Sequence, residues 1–330
     1  MKILVTGATG FIGGRTVEAL LSLSYDEVRC CGRNRSKAEH LEKKGACFHE
    51  GSLLDDKHVN EITRDIDMIV HCAGLAGTWG KYEDYHEANV TATEKLVAAA
   101  QKSGVQRFVN ISSPSIYFDY RDQLDLVEGD LPKKFSNHYA TTKFKAEKVV
   151  EKAHNEKFLT VSLRPRFVIG AGDNQILPRL IRLQKSNMLV QIGDGENIVD
   201  VTTVKNVVDA ILLCLKAPHD AMGEVYNISN GEPVKFWKFV DMVLTKMGIS
   251  TERKKVPYRL MLRLARVNQM VAICVKRKEE PRLLPITVAA LAKSMTLNIA
   301  KAREKLGYDP QQTVEEGVDE FLAWWREKKS

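Results

Sequence analysis

The eight residues TGATGFIG, at positions 6–13, constrain the fold more than any other part of this 330-residue chain. They follow an apolar strand pattern and open a helical pattern at Phe11–Leu23. In that context Gly7, Gly10 and Gly13 would allow a tight turn, a close approach of backbone to pyrophosphate, and tight packing of helix on strand. The start of the helix would also offer unpaired N–H groups and a positive dipole end to phosphates. The motif therefore predicts a strand–turn–helix unit that binds a dinucleotide.

Short apolar runs alternate with helical patterns over the first 165 residues. The predicted strands are Lys2–Thr6, Glu27–Cys31, Ala46–Glu50, Met68–His71, Arg107–Ile111 and Thr160–Arg164. The predicted helices are Phe11–Leu23, Ser36–Lys44, His58–Thr63, Tyr85–Ser103 and Asn137–Asn155. Such alternation predicts an α/β fold with a doubly wound parallel sheet. The nearly continuous apolar strands indicate that helices cover both faces of this sheet.

Beyond Arg164 the alternation weakens, and glycines and prolines mark loops. The elements predicted there are a strand at Val225–Ile228 and helices at Val204–Leu215, Trp237–Met247 and Val314–Arg326. Thr313 is predicted to cap the last helix, because its side-chain oxygen can accept a bond from an unpaired backbone N–H.

Composition restricts the class of protein. Hydrophobic residues make up 44% of the chain, which is enough for a sizeable core. No run of 18 or more residues is both apolar and free of charge, and MKILVTG lacks the apolar run of a signal peptide. The six cysteines form no CxxC pair, so reduced thiols are predicted, with no disulfide framework and no metal site. We therefore expect a cytoplasmic protein.

The net charge of +7 comes from one segment. Nine of the 49 basic residues lie between Arg253 and Lys278, a segment without Asp or Glu, and the other 40 are slightly outnumbered by 42 acidic residues. Because the excess is local, it does not indicate a nucleic-acid partner.

The end of the second predicted strand bears on the choice of cofactor. NAD sites usually carry an acidic residue there to hold the ribose hydroxyls. This chain has Gly32 at that position, followed by Arg33 and Arg35. Two guanidinium groups could grip a 2′-phosphate, or they could simply be solvated at the surface. The pattern favours NADP(H) and leaves NAD(H) open.

Tyr139 and Lys143 form a YxxxK pair within a predicted helix, where a spacing of four places both side chains on one face. An ammonium beside a phenol would lower the phenol pKa and suit it to proton transfer near neutral pH. The alternative is a half-buried aromatic next to a solvated lysine. Ser112 and Ser113 follow a predicted strand, so a serine hydroxyl could hold the substrate oxygen that Tyr139 serves.

These motifs together resemble the extended short-chain dehydrogenases/reductases. The further matching segments are His71–Gly74, Asn89-Val90, Arg164-Pro165 with Val168–Gly170, and Tyr226–Ile228. The resemblance covers nearly the whole chain. It implies a Rossmann domain at 1–165, to which a segment at about 200–228 returns, and a smaller C-terminal α/β substrate domain, mainly 166–330.

The resemblance also implies roles for individual residues. Ser113 would be the catalytic hydroxyl, Tyr139 the acid/base, and Lys143 the residue that holds the nicotinamide ribose and tunes Tyr139. The implied cofactor contacts are Gly7, Gly10, Phe11, Ile12 and Gly13 at the pyrophosphate, Ser52 and Leu53 at the adenine, Ala73, Gly74, Asn89 and Ser112 along the wall, and Pro165 and Val168 at the nicotinamide. The family usually has Asp at the position of Ser52.

Three segments narrow the resemblance to the 3β-hydroxysteroid dehydrogenase-like branch and, within it, to bacterial 2-alkyl-3-oxoalkanoate reductases. They are Ala73–Val90, Leu163–Leu180 and Tyr226–Pro233. This resemblance implies a ketone and secondary alcohol interconverted at the 3-position of a hydrophobic substrate, a β-keto acid or a sterol-like molecule. Trp79 and Tyr82 lie in a loop that either roofs the substrate or fills the core.

The basic segment 253–278 interleaves apolar residues with arginines spaced at three and four positions. One helix face would therefore carry Arg259, Arg263 and Arg266. Such a helix could rest on an anionic membrane or cover an apolar substrate, or it could be an ordinary surface helix. The chain is compatible with peripheral membrane contact and with a homodimer.

Two other functions stay open. A nucleotide-sugar epimerase or dehydratase with tightly bound NAD would share the fold and the Tyr139/Lys143 pair. A non-catalytic cofactor sensor would share the fold, although such a protein would not need Ser113, Tyr139 and Lys143 together.

Overall fold

A computed structural model describes residues 1–277 and 279–328; Lys278, the last residue of the predicted basic segment, lies outside them. In that part of the chain the strands β1–β15 are Lys2–Thr6, Glu27–Gly32, Cys47–Glu50, Met68–His71, Arg107–Ile111, Gln123–Leu126, Leu159–Pro165, Val168–Ile169, Gln191–Ile192, Ile198–Val199, Thr202–Thr203, Val225–Ile228, Val234–Lys235, Lys255–Val256 and Met295–Leu297. The helices α1–α13 are Phe11–Leu21, Glu39–Lys43, Asp56–Thr63, Tyr82–His86, Ala92–Lys102, His138–Ala153, Ile176–Lys185, Val204–Lys216, Phe236–Lys246, Tyr258–Cys274, Pro285–Ala292, Ala300–Leu306 and Val314–Glu327.

A seven-stranded sheet in the order β12-β7-β5-β4-β1-β2-β3 forms the centre of the molecule. All six strand pairs in it are parallel, which confirms the predicted Rossmann sheet. The strand order reverses at β1, since the chain continues from β3 to β4 on the other side of that strand. Ligands of such sheets bind where the order reverses, in the crevice at the carboxyl ends of the strands.

Alternate residues of β1 face two different helical layers. Ile3 and Val5 are fully buried against α1 and α8, whereas Leu4 is buried on the opposite face with residues of α3, α5 and α6. Successive strand residues point to opposite faces of the sheet, so a strand that is covered on both faces needs apolar side chains at consecutive positions. Every residue of β4 and β7 is buried, as expected of strands covered on both sides.

A second, smaller sheet in the order β13-β10-β15-β6 lies in the C-terminal half of the structure, although β6 comes from the first half of the chain. Helices α7, α9 and α13 pack around their own apolar core beside it. Conversely β12 lies at the edge of the main sheet and α8 packs on α1. The domain bounds 1–165 and 166–330 therefore stay a prediction, since elements of each range lie with the other.

Two predicted helices are interrupted. Tyr85–Ser103 is replaced by α4, a π-helical segment at Glu87–Thr91, and α5. Ser36–Lys44 is replaced by a 3-10 turn at Arg35–Lys37 and by α2, because the Asn34 side chain accepts a bond from the Lys37 N–H and starts a tight turn. Thr313 caps α13 as predicted, in a capping box with Glu316.

The length and apolarity of a helix decide whether it can cross a lipid bilayer. Over residues 1–277 and 279–328, none of the helices combines the length and the apolarity that crossing a lipid bilayer requires.

Candidate active site

The turn between β1 and α1 can be built only with glycine. Gly7 has φ of 68°, and a Cβ on it would stand 2.6 Å from the Ala73 backbone nitrogen. A Cβ on Gly13 would stand 2.3 Å from the carbonyl oxygen of Gly7. Gly10 caps α1 with no side-chain bond, and the first turn carries no acidic residue. The backbone N–H groups there thus suit a phosphate group, which fits the expected dinucleotide.

A cavity of about 440 Å³ opens from this turn across the carboxyl ends of β1, β2 and β4. It is lined by seven of the predicted cofactor residues, namely Gly7, Gly10, Arg33, Ser52, Leu53, Ala73 and Gly74. Gly32, whose position bears on the choice of cofactor, also lines it, as do Cys31, Asp84 and Glu87, which the sequence did not single out. Of the other predicted cofactor residues, Phe11, Ile12 and Gly13 form the first turn of α1, and Pro165 and Val168 belong to β7 and β8.

The two arginines grouped by the sequence are separated in the structure. Arg33 is exposed and lines the cavity. Arg35 instead pairs with Glu42 at 2.9 Å and lies outside the lining. Arg33 alone is therefore placed to meet a group bound near Gly32.

The loop after β4 is held by Asn89, which lies in the π-helical segment. The Asn89 side chain accepts a bond from the Leu75 N–H at 2.7 Å and donates to the Leu75 carbonyl at 3.0 Å. It also donates to the Thr142 hydroxyl of α6 at 3.0 Å. Inserted π turns occur often at functional sites, and this one aims a single amide at both the cavity wall and α6.

Ser113 and Tyr139 come together where β5 ends and α6 begins. Asn137 caps α6 by accepting a bond from the Ala140 N–H at 2.8 Å, so Tyr139 lies in the first turn. Ser113 lies just beyond the carboxyl end of β5, and its hydroxyl is close enough to the Tyr139 phenol to lower the phenol pKa. The neighbouring Ser112 hydroxyl is buried without a partner among the described residues. The Ser113 hydroxyl and the Tyr139 phenol are therefore the two polar groups that come together here.

The predicted lowering of the Tyr139 pKa by Lys143 is wrong for this structure. Withdrawal of the phenol from solvent raises the pKa of Tyr139, while the hydrogen bond with Ser113 acts in the opposite direction. Lys143 is buried, and its ammonium donates to the Ile111 carbonyl at 2.6 Å. Burial lowers the pKa of Lys143 to about 8 against the opposing charge of Glu147. The Lys143 Nζ atom also lies 3.9 Å from where a Cβ on Gly74 would stand, so it faces the cofactor crevice.

A buried ion pair beneath α6 escaped the sequence reasoning. The Arg164 guanidinium donates to both carboxylate oxygens of Glu147, at 2.8 and 2.6 Å, and the two side chains are 3% and 1% exposed. The same guanidinium donates to the Tyr117 hydroxyl, which donates to Asn227 of β12 at 2.7 Å. Glu147 continues the spacing of four from Lys143, and that periodicity is the signal that could have found it.

A second cavity, of about 760 Å³, lies against Tyr139. The loop at 77–81 forms one wall, the segment 136–139 another, and Gln269, Ala272 and Ile273 of α10 a third. Trp79 lines this cavity, and its indole N–H donates to the Arg277 carbonyl at 3.1 Å. Tyr82 does not line it; its hydroxyl accepts a bond from Lys145 at 2.7 Å.

His71, at the carboxyl end of β4, is part of the packed interior. His71 is buried between the hydroxyls of Thr6 and Thr93, at 2.7 and 3.0 Å. Burial lowers the pKa of His71 to about 3, so the ring is neutral. No group of three or more His, Cys, Asp or Glu side chains that could hold a metal occurs in the part of the chain that the structure describes.

Comparison with known proteins agrees with this geometry. Residues 4–259 match the sequence model of the 3-beta hydroxysteroid dehydrogenase/isomerase family. A 2-alkyl-3-oxoalkanoate reductase of Stenotrophomonas maltophilia is 32% identical, with 98% of this chain and 99% of that protein covered. A decarboxylating sterol-4-alpha-carboxylate 3-dehydrogenase of Candida albicans is 31% identical, with coverages of 99% and 98%. The solved structure of MoeE5 with UDP-glucose and NAD superimposes with a TM-score of 0.78 at 25% identity, over 100% of both chains.

The relatives share one kind of chemistry. Their names describe dehydrogenases and reductases, and the family is NAD(P)-dependent. The chain is accordingly an NAD(P)-dependent enzyme that acts on CH–OH groups. With three quarters of its length matched and relatives above 30% identity along the whole chain, it belongs to the 3-beta hydroxysteroid dehydrogenase/isomerase family.

Proposed function

We propose that this enzyme is an NADP(H)-dependent reductase that interconverts a ketone and a secondary alcohol at the 3-position of a hydrophobic substrate. The observation that carries the proposal is that Tyr139 lines the second cavity and has the Ser113 hydroxyl beside it, while Lys143 of the same helix faces the cofactor crevice. A substrate oxygen placed beside Ser113 and Tyr139 could accept hydrogen bonds from both hydroxyl groups.

The chemistry divides between the cofactor and the protein. NADP(H), when bound, supplies or accepts the hydride. The backbone N–H groups after Gly7, with Arg33 and Lys143, are the groups of this chain that would hold it. In the reductive direction Tyr139 donates its phenolic proton to the substrate oxygen, and Ser113 holds that oxygen in place. A phenol whose pKa is raised is fully protonated at neutral pH, which suits proton donation and hence ketone reduction.

The preference for NADP(H) is supported at the end of β2. Gly32 leaves no carboxylate where NAD sites hold the ribose hydroxyls, and Arg33 lines the cavity beside it. A guanidinium pairs strongly with a phosphate, so it favours the cofactor that carries one at the ribose.

The hydrophobic substrate is supported by the second cavity. Trp79, Tyr85, Ala272 and Ile273 give it apolar walls close to Tyr139, and the Tyr85 and Tyr139 rings lie 6.4 Å apart. Lys276 and Arg277 add positive charge to the same lining, which suits a carboxylate on the substrate, as in a β-keto acid or a sterol-like acid.

A nucleotide-sugar epimerase is the second candidate, because MoeE5 shares the fold and was solved with UDP-glucose and NAD. The apolar wall of Ala272, Ile273 and Trp79 favours a hydrophobic substrate over a sugar ring, whereas Lys276 and Arg277 in the same lining would pair with a carboxylate or a diphosphate alike.

The test is a substrate panel with the purified enzyme. We expect NADPH consumption with β-keto acids or 3-ketosteroids, a lower rate with NADH, and no conversion of UDP-sugars. Epimerisation of a UDP-sugar without net cofactor consumption would contradict the proposal. Faster turnover with NADH than with NADPH would contradict its cofactor part alone.

A further inference from the structure

The outer side of α10 exposes an unusual amount of apolar surface. Among the described residues, seven of the fourteen exposed large hydrophobic side chains lie between Leu260 and Val275. They are Leu260, Leu264, Val267, Met270, Val271, Ile273 and Val275, each at least half exposed; of these, Ile273 borders the second cavity and Val275 directly follows the helix. Scattered apolar residues are ordinary on protein surfaces, whereas a contiguous patch marks a contact with another molecule or a membrane.

The apolar side chains are ordered along the helix. Leu260, Leu264, Val267 and Val271 follow the spacing of four, three and four residues that aligns side chains in one row. The buried residues of the same helix, Ala265 and Ala272, lie on the opposite side. We call the row of four the apolar row of α10; it faces away from the core of the molecule.

A basic row runs beside the apolar row. Arg259, Arg263 and Arg266 have the same spacing, displaced by one residue, and all three are exposed. No Asp or Glu occurs between Arg253 and Arg277. An apolar strip with a cationic flank is the pattern of helices that lie in the plane of an anionic lipid surface.

The inner side of the same helix belongs to the second cavity. Gln269, Ala272 and Ile273 line it, followed by Lys276 and Arg277 just after the helix. The bond from the Trp79 indole to the Arg277 carbonyl joins the helix end to the loop on the other wall. One helix thus separates Tyr139's cavity from the exposed apolar row.

We propose that α10 docks the enzyme on an anionic membrane surface, with the apolar row inserted among the lipids and Arg259, Arg263 and Arg266 at the headgroups. The cavity beside Tyr139 then opens at the lipid boundary, and an apolar substrate reaches it without passing through water. This second part rests on the proposed function, whereas the docking itself does not. The helix has 17 residues and no membrane-crossing character, so it lies along the surface.

Charge complementarity favours lipid over a second copy of the chain. In a two-fold dimer the same patch meets itself, so the basic rows of two copies would come close together. No acidic side chain is available within the segment to neutralise them. Anionic lipid headgroups can neutralise the basic row wherever the helix lies on the membrane surface.

The experiment is vesicle flotation of the full-length enzyme. Vesicles of phosphatidylcholine alone are compared with vesicles that also contain phosphatidylglycerol. The apolar variant Leu264→Ser/Val271→Ser removes side chains that are 50% and 54% exposed. Its matched control, Leu124→Ser/Met188→Ser, removes side chains that are 60% and 51% exposed elsewhere on the surface.

A second pair of variants tests the charge. Arg259→Glu/Arg263→Glu reverses the basic row, and Lys133→Glu/Lys134→Glu reverses two exposed lysines outside it with the same change in net charge. We expect wild type and both controls to float with the anionic vesicles only. Each α10 variant should bind them at least roughly tenfold more weakly.

Several results would overturn the docking. They are failure of the wild type to float with anionic vesicles, flotation of the α10 variants like wild type, or an equal loss in the matched controls. A wild-type dimer that the α10 variants convert to monomer, without vesicle binding, would assign the surface to a second copy instead. NADPH consumption with a water-soluble ketone in the absence of vesicles reports the reductase reaction separately, so its failure would contradict only the proposed function.

Discussion

The Ser113 hydroxyl lies beside the Tyr139 phenol and lowers its pKa, so the carboxyl end of β5 and the first turn of α6 meet at these two residues. These residues are 26 positions apart in the chain and come from different layers of the fold. Lys143, one turn further along α6, also links the two elements, because its ammonium donates to the last carbonyl of β5 at 2.6 Å. A shift of α6 would therefore disturb the hydroxyl pair and the lysine together.

Tyr139→Phe removes the proton donor and leaves the ring in place. We expect turnover with NADPH and a ketone to fall at least ~10²-fold, because general acid catalysis by a positioned group contributes about that much. NADPH affinity, measured by fluorescence titration, should change little. Tyr82→Phe, which alters a phenol outside the second cavity, serves as the control. Wild-type rates in Tyr139→Phe would remove Tyr139 from the reaction.

The pH dependence of ketone reduction follows from the raised pKa of Tyr139. The protonated phenol is the donor, so the rate stays constant below the Tyr139 pKa and falls as pH rises through it. That fall should lie above the ordinary phenol value of about 10. In the oxidative direction the phenolate is required, and the rate should rise with pH over the same range.

Ser113→Ala tests whether Ser113 contributes to the Tyr139 pKa. The hydrogen bond from Ser113 lowers the Tyr139 pKa against the larger effect of burial, so its loss should move the alkaline limb to higher pH. The measurement is kcat against pH for the variant and the wild type. A limb that moves to lower pH, or does not move, would show that another group controls it.

Much of the sheet could be predicted because its strands are short apolar runs bounded by turns. The bounds of β1, β4 and β5 agree to the residue, at Lys2–Thr6, Met68–His71 and Arg107–Ile111. The π-helical segment at 87–91 was missed, because it lies inside the stretch 85–103 that helical periodicity assigned to one continuous helix.

Sequence spacing could group the residues of the candidate site, but it could not give the energetics of those residues. Spacing placed Tyr139 and Lys143 on one helix face, but the sign of the pKa shift depends on burial, which local spacing does not report. Arg35 was grouped with Arg33 because the two are close in sequence, and only the structure shows that Arg35 forms an ion pair with Glu42. The exposed face of α10 could be outlined from sequence because its apolar and basic residues repeat at helical spacing.

Arg33→Ala should weaken NADPH binding selectively. A charge-assisted contact with the 2′-phosphate is worth on the order of tenfold in affinity or more, whereas NADH lacks that phosphate. We expect the NADPH Kd to rise accordingly and the NADH Kd to stay the same. Arg35→Ala is the matched control, since Arg35 is held by Glu42 outside the cavity. Equal effects of the two variants, or equal effects on both cofactors, would contradict the role of Arg33.

Glu147→Gln tests whether the buried ion pair holds α6 on β7. Breaking such a pair leaves the Arg164 charge buried and uncompensated, and it typically costs about 3–5 kcal/mol of unfolding free energy. We expect a loss of that size in urea unfolding followed by circular dichroism. Lys148 and Glu151 form a matched pair on the same helix at 2.6 Å but are nearly half exposed, so Glu151→Gln should cost under about 1 kcal/mol. Similar small losses in both variants would mean that α6 is held by its apolar contacts and not by Arg164.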